Sequence, residues 1–117
     1  MHRSILVAAI LVLTRPGYAS AKDPDCAGVE RWPTKMAFAH LKNAGILGDG
    51  TVDFTRTKTT RLASEKIGPD LYRQVHHVEF SNTSGETIEA ITVNDASTEE
   101  CSMGSVEVFV VSKHLPK

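Results

Sequence analysis

Adjacent histidines at positions 76 and 77 of this 117-residue chain are the first side chains that suggest chemistry. Imidazole binds metals and moves protons near neutral pH. Their spacing argues against a shared site, because neighbouring side chains on a strand leave from opposite faces and meet at one ion only across a bulge. His77 and Glu79 do share a face, yet two donors do not make a metal centre. The expectation is one histidine partly buried with a hydrogen bond and the other solvated. Together with Tyr72, His76 and His77 would also be the polar groups of a small-ligand pocket between a helix and a sheet.

Carboxylates gather a second time at Asp95, Glu99 and Glu100, in the longest loop, Asn94 to Gly104, which also contains Cys101. Ser97 and Glu100 have capping-box spacing, which suggests a single helical turn. A loop of this kind, braced by a disulfide, is a preorganised acidic surface suited to a basic cleft on another protein. The plainer reading is a tethered connection whose acids serve solubility. Arg56 and Lys58 lie two apart among threonines and would project from one strand face as a second contact patch, or else guard a sheet edge.

Other chemistry is not written in the chain. Gly48-Asp49-Gly50-Thr51-Val52-Asp53 lacks the spacing and closing glutamate of a calcium loop. Gly-x-Ser-x-Gly, His-Glu-x-x-His and phosphate-cradling glycine motifs are absent. No catalytic residue, metal or cofactor is therefore assigned. Asn82-Thr83-Ser84 matches a glycosylation sequon.

The cysteines set the context for these groups. Met1 to Ala21 reads as a cleavable export signal: Arg3 supplies the positive start, Ile5 to Leu13 the apolar stretch, and Ala19-Ser20-Ala21 the small-x-small cleavage pattern. The apolar stretch is about half the length a spanning helix needs and is followed by Arg15, Pro16 and Gly17. In a periplasmic or secreted protein Cys26 and Cys101 would pair, closing a span of 75 residues. Residues 22–117 then form one exported domain, with 11 basic against 14 acidic residues once Arg3 and Arg15 are removed. That charge does not suit nucleic acid, and no later stretch is long enough to insert in a membrane.

Local patterns give the elements that must position these residues. Trp32-Pro33-Thr34 opens a helix to about Ala44, with Ala37, Phe38, Leu41 and Ala44 at helical spacing and Gly45 as its stop. Strands follow: a threonine-rich run from Thr51 to Ile67, then Leu71 to Phe80, Glu86 to Asn94, and Val106 to Ser112. Turns fall at Gly68-Pro69-Asp70 and Asn82-Thr83-Ser84-Gly85. The second strand puts Tyr72, Val78 and Phe80 on one face and Leu71, Val75 and His77 on the other. The last strand is apolar on both faces, which suggests a central place in the sheet.

The expected fold is α+β: one N-terminal helix packed on a four-stranded antiparallel meander, a single domain with one disulfide. By elimination the leading functional expectation is a protein-binding factor, an inhibitor or immunity-type protein directed at an envelope toxin or hydrolase. The alternatives are a small-ligand binder or enzyme using the helix–sheet pocket, and a structural component of the cell envelope.

Overall fold

The computed structural model describes residues 23–47, 51–111 and 115–116. The export segment and the Gly48-Asp49-Gly50 turn lie outside them. One helix, α1 (Trp32–Asn43), precedes strands β1 (Val52–Gly68), β2 (Leu71–Asn82), β3 (Thr87–Ala96) and β4 (Glu107–Val111). The strands form one antiparallel sheet in chain order. This is the expected helix on a four-stranded meander.

The helix starts where Pro33 costs nothing, since amides of the first turn have no helical acceptor. It ends in a Schellman motif: Gly45 adopts φ +71°, its N–H donates to the Lys42 carbonyl, and the Ile46 N–H donates to the Leu41 carbonyl. His40 and Lys42 in the last turn suit the negative end of the helix dipole. Its buried stripe, Pro33, Thr34, Ala37 and Leu41, packs on the sheet, where Ala37 and Leu41 meet Val78, Phe80 and Ala90. Phe38 extends the core, with ring centroids 5.1 Å from Phe54 and 6.3 Å from Phe80.

Period-two alternation decides what faces the helix. Tyr72, Gln74, His76, Val78 and Phe80 of β2 are buried, as are Ala90, Thr92, Asn94 and Ala96 of β3. The register pairs them as Tyr72–Ala96, Gln74–Asn94, His76–Thr92 and Val78–Ala90. Leu71, Val75 and His77 take the opposite face. The inner face is thus apolar under the helix and polar beyond it.

Strand β1 is an edge, as the basic residues along it suggested, and its register breaks between Asp53 and Lys58, Arg61 and Ala63, and Lys66 and Gly68. Leu62 and Ile67 are the extra residues of the last two breaks, and both are exposed. One expectation is corrected. Strand β4 is the other edge of the sheet, not a central strand. Its two apolar faces have separate causes: Val108 packs against the core, while Phe109 stands beside Ile91 on the outer face, which is itself apolar in the middle.

Candidate functional site

A strap of irregular chain, Asp23 to Ala27, crosses the polar end of the inner face. Cys26 anchors it by a disulfide to Cys101, with Cα atoms 5.7 Å apart. The Pro24 carbonyl accepts hydrogen bonds from Gln74 Nε2 at 2.8 Å and from an Arg61 guanidinium nitrogen at 3.2 Å. Beneath lie Gln74, His76, Thr92 and Asn94, all buried. Gln74 Oε1, both His76 ring nitrogens, Thr92 Oγ1 and Asn94 Oδ1 have no hydrogen-bond partner among the described residues. Burial, reinforced by the charge of Arg61 and opposed by Asp25, pushes the His76 pKa down to about 4. At neutral pH His76 is an uncharged, covered imidazole.

The disulfide also grips the acidic loop. Ser97 Oγ accepts from the Glu99 and Glu100 amides. Glu100 does not reach back to close a capping box; its carboxylate accepts from Ser102 Oγ at 2.6 Å instead. The anticipated helical turn is consequently a hydroxyl-centred turn. Asp70, at φ +46° in the β1–β2 turn, accepts from Thr98 N at 3.0 Å and Thr98 Oγ1 at 2.9 Å. Those bonds hold the Asp70 carboxyl below its ordinary pKa, the Thr98 backbone bond contributing most. Asn94 Nδ2 donates to the Cys101 carbonyl, and Trp32 Nε1 to that of Gly104. Ties from the strap, the helix, the β1–β2 turn and β3 thus converge on the ten residues between β3 and β4, 97–106.

On the outer face two cross-strand rows run through the middle, Thr60–His77–Ile91–Phe109 and Ala63–Val75–Val93–Glu107. Cross-strand side-chain pairs lie on and beside these rows. Lys58 lies opposite Glu79. Arg73 donates to both oxygens of Asp95, at 3.0 and 3.4 Å, a bond that raises the arginine pKa. His77 Nε2 lies 3.3 Å from Glu89 Oε1. No described helix or strand covers this face. Where it meets the acidic loop, a shallow pocket of about 410 Å³ is lined by Arg73, Val93, Asp95, Met103, Ser105 and Glu107 among others.

These placements sort the residues singled out from sequence. Glu99 and Glu100 are exposed on the braced loop, whereas Asp95 is half-buried and committed to Arg73. Arg56 and Lys58 are exposed near the far end of β1. Six β2 positions separate the Lys58 partner, Glu79, from the Asp95 partner, Arg73, or roughly 20 Å along the strand. The acidic and basic groups therefore form two patches and not one. Tyr72 and His76 share the buried inner face while His77 is on the outer one, so the three do not line a common pocket. No group of three or more metal-ligating side chains is assembled among the described residues. Asn82, the sequon residue, is 2 % exposed, with Oδ1 accepting from the Ser84 and Glu86 amides and Nδ2 donating to Glu86.

Two features of this region were missed in the sequence. The apolar middle of the outer face was readable from the phase of β2 and β3, but needed the neighbour order to become a surface. The polar group under the strap needed knowledge of what crosses it. Comparison with protein-family models, characterised proteins and solved structures found no match.

Proposed function

We propose that the chain acts outside the cytoplasm as a small protein-binding factor, an inhibitor or immunity-type protein that neutralises a toxin or hydrolase of the cell envelope. The observation that carries this reading is the bracing of the acidic loop by the disulfide, by Asp70, by Asn94 and by Trp32. Fixing ten residues in advance removes an ordering cost that a flexible loop meets on association. Glu99 and Glu100 are displayed on that loop beside an outer face with an apolar middle and a charged rim, the composition of a protein-binding surface. The disulfide is compatible with the oxidising compartment that export would provide.

The test is capture of a hydrolase or toxin from envelope or culture-fluid extract on the immobilised, oxidised protein. The paired substitution Glu99→Lys/Glu100→Lys is expected to abolish capture, whereas Arg56→Glu/Lys58→Glu is expected to reduce it less. Equal capture by the acidic-loop variant and the unaltered protein would remove the loop from the binding surface. A second reading, a small-ligand binder, is favoured by the pocket between Arg73, Asp95 and Met103. It calls for saturable binding of a small polar molecule that Arg73→Ala abolishes.

A further inference from the structure

We infer that the free edge of β4 pairs with the same edge of a second copy, joining two four-stranded sheets into one eight-stranded sheet. Edge strands expose unpaired backbone groups and are ordinarily blunted by charges, bulges or twist. Strand β1 is defended by charges and by bulges: Arg56, Lys58, Arg61, Glu65 and Lys66 lie along it and three register breaks distort it. Strand β4, Glu107-Val108-Phe109-Val110-Val111, carries one charge and no break in its pairing with β3. Phe109 is 53 % and Val110 42 % exposed there. Apolar on both faces, this segment has the composition of a strand with neighbours on both sides, and among the described residues only β3 pairs with it.

A second copy fits this edge without setting like charges against each other. Antiparallel self-pairing centred on Phe109 sets Phe109 against Phe109 of the second copy, Val108 against Val110, and Glu107 against Val111. Facing residues lie on the same face, so the two aromatic rings meet on the outer side between the two Ile91 side chains, and the valines meet on the inner side. The two Glu107 carboxylates end at opposite corners, four residues apart along the strand, or about 14 Å, where screening is effective. Guarded β1 edges remain at both ends of the joined sheet, which makes the assembly a closed twofold dimer and not a filament.

The experiment is sedimentation of the oxidised full chain over increasing concentration, combined with single-cysteine cross-linking. The sedimenting mass is expected to rise from one chain toward two as the concentration increases. Phe109→Lys, which sets two ammonium groups face to face, is expected to hold the mass at one chain, and the exposure of Phe109 leaves its melting temperature near that of the unaltered protein. Phe109→Cys is expected to form an inter-chain disulfide on mild oxidation, while Val111→Cys, which faces Glu107 and not itself, is expected to cross-link at least tenfold less. A single-chain mass at every concentration overturns the inference. So does a dimer that Phe109→Lys leaves intact, or one in which Val111→Cys cross-links as readily as Phe109→Cys.

Discussion

Replacing Cys26 and Cys101 together by serine tests how the strap and loop are held. The bond closes 75 residues. Loop-closure entropy for that length is worth roughly 4.5 kcal/mol at room temperature. Release of the strap also costs the two hydrogen bonds accepted by the Pro24 carbonyl. In the other direction, water gains access to Gln74, His76, Thr92 and Asn94, whose polar atoms include five without partners among the described residues. Hydration of those groups offsets part of the loss, and the expected net destabilisation is about 3 kcal/mol. For a domain near 100 residues that lowers the melting temperature by roughly 12 to 24 °C. Urea unfolding followed by Trp32 fluorescence is a suitable assay, because Trp32 donates to Gly104 at the end of the braced loop. A loss below about 1 kcal/mol would refute the reasoning, since it would mean that noncovalent contacts alone hold the strap down.

Other substitutions and conditions probe separate parts of the structure. Acid should destabilise the fold through His76: its folded pKa lies below the unfolded value, so its contribution is complete above pH 6.5 and is lost as pH falls toward about 4. The full linkage is roughly 3 kcal/mol, and water entering beneath the strap as the ring protonates brings the expected loss to about 2 kcal/mol, measured as a stability slope that His76→Gln flattens. Leu41→Ala, at a side chain 1 % exposed against Val78 and Phe80, is expected to cost about 3 kcal/mol in chemical denaturation. Asp70→Ala is expected to accelerate hydrogen exchange at Thr98 to Glu100 while the global unfolding midpoint changes little, because it unties the loop without touching the core.

The helix and its packing were legible because their determinants are local: Pro33, the spacing of Ala37, Phe38 and Leu41, and Gly45 each act within a few residues. The turn at Pro69-Asp70 and the hairpin at Asn82 to Gly85 were legible for the same reason, and the cysteines paired because only two exist in the chain. Neighbour order was not legible. Val108 and Phe109 are apolar for different reasons on opposite faces, so composition alone could not separate an edge from a centre. The irregularities of β1 were hidden as well, since a bulge appears in sequence only as a broken alternation, and threonines tolerate either phase. Glu99 and Glu100 emerged on the loop as expected. Asp95 did not remain free, because Arg73 lies directly across from it on β2, a pairing that register alone sets.

Mass spectrometry of protein purified from the producing cell tests the central claim most directly, that the chain is exported and works with its strap and acidic loop locked by one disulfide. The expected result is a mature chain beginning at Lys22 whose Cys26 and Cys101 resist alkylation until reduced. An intact chain starting at Met1 with both thiols open to alkylation would contradict it.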